Sequence, residues 1–192
     1  MMVQVASSID GFEDVLAAAS TGQEWAVACL YDELQPALLR YLRWQEPTAA
    51  EDLAAETWLA VAERLPRFEG DEGAFRAWIF AIARRRLADH RRRAVRRRTV
   101  PVPDEMMVMV PAETDVGQQV ADAMAAQQVI RRLTGVLPPD QAEIVMLRVI
   151  GGLSVEETAR AVSKRPGTVR VLQHRALRRL ADDLRRQSVV EV

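Results

Sequence analysis

One cysteine, two histidines, a single lysine and no asparagine make this 192-residue sequence poor in the usual chemistry of metal and catalytic sites. A lone Cys29 excludes an internal disulfide and a cysteine-based zinc site. With His90 and His174 the only histidines, a histidine-rich metal centre is excluded as well, and no cofactor is expected. No phosphate-cradling glycine loop and no nucleophile elbow occur. Uninterrupted apolar runs stay well short of the roughly 18 residues that a membrane-spanning helix requires, so membrane insertion is not expected. Met1–Gly11 has neither a basic start nor an apolar signal core, which predicts a cytoplasmic chain with no secretion signal.

What the sequence does have is charge, unevenly spread. The formal net charge is −1. Residues 1–80 carry −9, residues 84–98 carry +8, residues 99–130 carry −5 and residues 131–192 carry +5. Nine arginines against Asp89 alone in residues 84–98 read as a phosphate-binding surface rather than a solvated helix end. Arginine suits that role because its guanidinium donates two parallel hydrogen bonds. The acidic first block fits a basic protein partner.

Apolar residues recur at helical rather than strand spacing, which predicts an all-α protein. Phe12, Val15, Leu16 and Ala19 form one stripe. Trp25, Ala28, Cys29 and Leu34 begin another, extended by Leu38, Tyr41 and Leu42, with Pro36 expected to bend or break it and Trp25, Cys29 and Tyr31 expected in the core. Leu53, Ala54, Thr57, Trp58, Val61 and Leu65 make a third stripe that Pro66 ends. After a loop over residues 67–73, Phe75, Trp78, Ile79 and Ile82 line a helix that runs into the arginines. Phe75 and Trp78 suit core packing or base stacking, and Phe68, at the loop edge, suits either as well. Pro101, Pro103 and Pro111 mark residues 99–117 as a flexible linker. A second block, 118–186, opens with Val129, Ile130 and Leu133 and continues with a helix started by Pro138-Pro139 and ended by Gly151-Gly152. Ser154 and Glu157 have capping-box spacing.

Helices over 155–162 and from 166 onward, joined by Ser163-Lys164-Arg165, have the tight-turn spacing of a helix-turn-helix. If Val169 centres the buried face of the last helix, Leu172, Gln173, Ala176 and Leu180 join it, while Arg170, Val171, His174, Arg175 and Arg178 face outward. Gln173 on the buried side then requires a polar partner. The outward face suits a major groove, with arginines for phosphate or guanine and Val171 for a thymine methyl.

Two sets of residues resemble one known family. The first runs Ala50-Glu51-Asp52-Leu53-Ala54-Ala55-Glu56-Thr57-Trp58-Leu59, Arg64-Leu65-Pro66-Arg67-Phe68, Phe75-Arg76-Ala77-Trp78-Ile79-Phe80-Ala81-Ile82-Ala83-Arg84 and Leu87-Ala88-Asp89-His90-Arg91-Arg92. The second comprises Leu137-Pro138-Pro139, Gly152-Leu153-Ser154-Val155-Glu156-Glu157-Thr158-Ala159, Gly167-Thr168-Val169-Arg170 and His174-Arg175-Ala176. They resemble regions 2 and 4 of bacterial RNA polymerase sigma factors of the extracytoplasmic-function (ECF) type, in order and in spacing. The resemblance implies two small helical domains, 11–98 and 118–186, and a non-catalytic initiation subunit.

It further implies that region 2 binds the clamp helices of the polymerase β′ subunit through Asp52, Leu53, Glu56 and Trp58. Region 2 would read and melt the −10 promoter element with Phe68, Gly70, Asp71, Arg84, Arg85, Arg86, Asp89, His90, Arg92 and Arg93. Region 4 would bind the −35 element with Lys164, Arg165, Thr168, Arg170, Val171, His174, Arg175 and Arg178, and the β-subunit flap. An anti-sigma factor that wedges between the domains is a further implied partner. The chain departs from the family at Ala55, where glutamine is common, at Arg85, where asparagine is common, and at Leu172-Gln173, where Arg-Leu is common. The competing readings are a stand-alone helix-turn-helix regulator, which leaves the first block unexplained, and a nuclease with Asp71 and Asp89 as metal ligands.

Overall fold

Prolines and glycines cut this chain into helices at predictable places, and α-helix and short 3-10 turns are the only regular structure among the described residues. The computed structural model describes residues 11–98 and 135–190. The first four helices are α1 (Phe12–Ser20), α2 (Glu24–Gln45), α3 (Ala50–Arg64) and α4 (Glu72–Arg98). The last three are α5 (Pro139–Val149), α6 (Val155–Ala161) and α7 (Pro166–Val190). The expected linker 99–117, and the helix expected from Gln118 with Val129, Ile130 and Leu133, lie outside the described residues.

Local chemistry sets the helix ends. Gly22 takes a left-handed φ of 84° after α1, where Gly22 N–H reaches Ala19 O at 2.9 Å and Gln23 N–H reaches Ala18 O at 3.1 Å. Asp71 Oδ1 accepts the Ala74 N–H at 2.6 Å and so caps α4. The capping box of α6 is formed on both sides: Glu157 N–H donates to Ser154 Oγ at 3.1 Å and Ser154 N–H to Glu157 Oε2 at 2.6 Å.

In α2 the break allowed for at Pro36 does not occur, and part of the expected core lies outside. The helix runs unbroken through Pro36. A proline inside a helix costs about 3 kcal/mol. Pro36 stands on the solvent side, while Ala26, Leu30, Leu34, Ala37, Leu38, Tyr41 and Leu42 are buried on the other. At about 1.5–3 kcal/mol for each large apolar side chain, that burial exceeds the local cost. The same stripe corrects the expected core: Trp25 is 57% exposed, Tyr31 41% exposed and Cys29 only half-buried. In the first half of α2 the buried face is rotated one position from the expected one, with Ala26 and Leu30 inward, while Leu34, Leu38, Tyr41 and Leu42 are buried as expected.

Helices α1–α4 pack around Tyr41, Phe75, Phe80, Leu34, Leu38, Leu53 and Ile79, all fully buried. Helices α5–α7 bury Ile144, Leu147, Leu153 and Val169. These residues form one continuous apolar cluster across both groups of helices, with α4 lying along α6. Glycines permit the close approach. A Cβ on Gly73 of α4 would lie 2.7 Å from Glu157 Oε1 of α6, and one on Gly151 would lie 3.2 Å from Cζ of Phe80.

Candidate nucleic-acid interface

Helix α6, the Ser163 turn and helix α7 build a helix-turn-helix. Ser163 adopts φ 54° to reverse the chain, and the small Ala159 is buried where the helices cross. Val169 and Ala176 are fully buried, with Leu172 and Leu180 half-buried beside them. Lys164, Arg165, Thr168, Arg170, Val171, His174, Arg175 and Arg178 are all exposed. Arg170 Nη2 meets Glu156 Oε1 at 2.7 Å, and Lys164 Nζ lies 3.4 Å from Asp140 Oδ2. Gln173 has the partner it requires: Arg148 Nε donates to its Oε1 at 3.3 Å. Arg148 Nη1 also donates to the Leu153 carbonyl, so one guanidinium ties α5, the start of α6 and α7 together. The sequence signal for Arg148 was the unpaired amide of Gln173.

The second basic surface lies on α4. Arg85, Arg92 and Arg93 are exposed, and Arg86, Asp89 and His90 are half-exposed. Arg64, Ile82, Arg85, Arg86 and Asp89 line a cleft of about 140 Å³. A hydrogen bond from Arg92 holds the Asp89 carboxyl below the usual carboxylate range, with the charges of Arg92, Arg85 and Arg93 adding to it. Other arginines of the run already have partners: Arg91 meets Glu46 at 2.8 Å, and Arg93 meets Glu56 at 3.7 Å. The loop before α4 is shaped by aromatics. Phe68 packs against Trp78 and Phe75 with ring centroids 4.9 and 5.2 Å away, so its packing role is realised here. Gly70 has φ 152° and no room for a side chain, since a Cβ would lie 2.9 Å from Ala74 Cβ.

Arg84 is placed differently from its neighbours. Its Nε and Nη2 donate to Glu143 Oε1 and Oε2 at 2.8 and 3.0 Å, and its Nη1 donates to the Ala161 carbonyl at 2.8 Å. Tyr41 Oη donates to Glu143 Oε1 at 3.1 Å. Burial pushes the Tyr41 phenol far above its ordinary pKa, and the Glu143 charge adds to this. Burial opposes the Arg84 charge, but the bond to Glu143 and its charge outweigh that and hold the guanidinium firmly protonated.

The third surface is on α3. Asp52 is exposed and Glu56 half-exposed, while Leu53, expected on this face, is 1% exposed and belongs to the core. It falls on the inner side of the helix with Thr57 and Val61, so it supports the face from beneath. Trp58 Nε1 donates to Gln35 Oε1 at 2.8 Å, and its ring lies 5.1 Å from that of Tyr31. Val27, Tyr31, Ala55, Trp58 and Leu59 help line an apolar groove of about 640 Å³ between α2 and α3. The misplaced phase of the first half of α2 is what hid this groove in the sequence. No group of acidic, histidine or cysteine side chains among the described residues could hold a metal ion.

Fold and surfaces together define a two-part helical DNA-binding protein. The Sigma-70 region 2 pattern matches residues 30–97 and the Sigma-70 region 4 pattern residues 127–180. The chain is 37% identical over 184 residues to the ECF RNA polymerase sigma factor SigD of Mycobacterium tuberculosis, covering 88% of this chain and 82% of that one. It is 36% identical over 170 residues to the ECF sigma factor ShbA of Streptomyces griseus, covering 84% and 89%. Among solved structures, CnrH in complex with the cytosolic domain of CnrY shares the fold with a TM-score of 0.65 at 22% identity, over 91% of this chain and 97% of that one. Bartonella quintana RpoE, in complex with the anti-sigma factor NepR, shares it with a TM-score of 0.59 at 23% identity, over 81% and 94%. The chain belongs to the ECF RNA polymerase sigma factors, which direct transcription initiation at promoters.

Proposed function

We propose that residues 11–98 act as the polymerase-binding and −10-melting unit of this sigma factor, residues 118–186 as its −35-reading unit, and residues 99–117 as the tether between them. The observation that carries this is the exposed basic face of α7, presented by a helix-turn-helix whose inner face is packed and whose Gln173 amide is paired with Arg148. Arg175, Arg178 and Arg170 take phosphates or guanine, and His174 and Val171 lie on the same face. On α4, Arg85, Arg86, His90, Arg92 and Arg93 hold the displaced strand, with Asp89 orienting Arg92. Phe68, Gly70 and Asp71 shape the loop beside them.

Asp52, Glu56 and Trp58 bear the β′ clamp helices, and region 4 meets the β flap. Capturing an unstacked base on a charged surface offsets the few kcal/mol that extrusion costs. The chemistry is the polymerase's; this subunit supplies recognition and needs no cofactor. An anti-sigma factor is its expected regulator in the cytoplasm, as the complex of RpoE with NepR illustrates for that protein. Run-off transcription on genomic promoters with core polymerase tests the reading. Initiation at new start sites only when this protein is added is expected; unchanged initiation overturns it. Co-elution with core enzyme separates it from a stand-alone regulator.

A further inference from the structure

The three nitrogens of Arg84 are all engaged, and every partner lies on the other group of helices. Nε and Nη2 grip both oxygens of Glu143 on α5, and Nη1 reaches the last carbonyl of α6. Tyr41, from α2, braces the same carboxylate. A bidentate arginine–carboxylate pair is directional, and this one is largely withdrawn from solvent, with side-chain exposures of 28% and 22%. The loop before α4 is held in the same closure. Asp71 lies 3.6 Å from Arg160 of α6, and Gly73 abuts Glu157. The consequence is asymmetric. The outward face of α7 stays open to a duplex, whereas Arg84 is already neutralised and the loop before α4, though largely exposed, is tethered to α6 at Asp71 and Gly73.

We infer that the Arg84–Glu143 ion pair is an interdomain latch that holds the free protein closed and withholds Arg84 from the otherwise open strand-holding face of α4 until Arg84 exchanges the carboxylate for a nucleic-acid phosphate. The withholding part rests on the proposed role of α4 in holding the −10 strand. Opening is geometrically necessary under that reading. Elements named 25 positions apart are separated by ~85 Å along a duplex at about 3.4 Å per base pair. A compact body of this size has a radius of gyration of only ~15 Å.

The test uses the full chain without polymerase, labelled for fluorescence energy transfer at Ala28→Cys and Leu177→Cys in a Cys29→Ser background. A single high-transfer population is expected. Glu143→Arg should shift the chain toward low transfer, raising the open fraction about tenfold or more, as loss of a charge-assisted bidentate pair implies. The swap Arg84→Glu with Glu143→Arg should restore high transfer, which general damage to the fold would not. Binding of a labelled mixed-sequence single strand should tighten about tenfold in Glu143→Gln. It should not tighten in Glu63→Gln, which makes the same charge change on the exposed face of α3. Unchanged transfer in Glu143→Arg, or no restoration by the swap, overturns the latch. Opening with no gain in strand binding, or an equal gain in Glu63→Gln, overturns the withholding and with it the strand-holding role of Arg84. Run-off transcription is independent of all these outcomes, so failure of the initiation role would show there alone.

Discussion

Tyr41 and Glu143 illustrate how much a single side chain can decide. The Tyr41 phenol is fully buried, and burial beside a carboxylate raises its pKa above the ordinary value near 10. A group whose pKa is raised on folding contributes stability that is present below the unfolded value and lost as pH climbs past it. Thermal melts should therefore show stability falling above about pH 10 in the parent chain. That fall should be shallower in Tyr41→Phe, which gives up the hydrogen bond to Glu143 at a cost of about 1 kcal/mol at neutral pH. An alkaline limb that is the same in both would place the loss elsewhere. Arg175 makes a contrasting case: it is exposed and stands on the outward face of α7. Arg175→Ala is expected to leave the melting temperature unchanged while weakening duplex binding and reducing its salt slope by about 1, measured by fluorescence anisotropy over a salt series. Gly151 has no such freedom, because a Cβ there would meet the Leu147 carbonyl at 2.6 Å. Gly151→Ala should cost about 1–3 kcal/mol in denaturant unfolding.

At the scale of the element, α6 is the most dependent on its ends. Seven residues are too few for a helix to persist by propensity, so the capping box and the buried Thr158, Ala159 and Ala161 hold it. Ser154→Ala should cost about 1 kcal/mol in global stability and, through α6, weaken −35 duplex binding. Amide exchange that stays slow throughout α6 in this variant would show that packing alone suffices. Helix α7 was the most legible element: its buried and outward residues could be assigned from Val169 alone, because a solvent-facing recognition helix keeps a clean 3.6-residue pattern. Helix α2 was the least legible. It is apolar on more than one side, since Trp25, Val27 and Tyr31 lie outside its core stripe, and periodicity alone then misplaces the inward face.

For the whole molecule, the continuous core linking α4 and α6 has a thermodynamic consequence. If the two groups of helices were independent, calorimetry would resolve two transitions. Shared burial of Phe80, Leu147, Ala161 and their neighbours predicts instead one cooperative transition with matching calorimetric and van't Hoff enthalpies. Two separable peaks would show that the interface contributes little. Loosening the latch with Glu143→Arg should broaden or split that single peak.

The sequence by itself determined the all-α class, the helix-turn-helix, the capping box, the basic face of α7 and the family. These depend on spacing within a few residues or on the order of motifs along the chain. Only the tertiary structure decided that Leu53 lies in the core, that Trp25 and Tyr31 lie at an apolar groove, and that Phe68 packs against Trp78. It alone paired Gln173 with Arg148 and Arg84 with Glu143. Those facts depend on which face of one helix meets another, and partners 25 and 59 residues apart leave no periodic trace in a single sequence. An arginine in a run of nine reads as one more phosphate ligand until a distant carboxylate is folded against it.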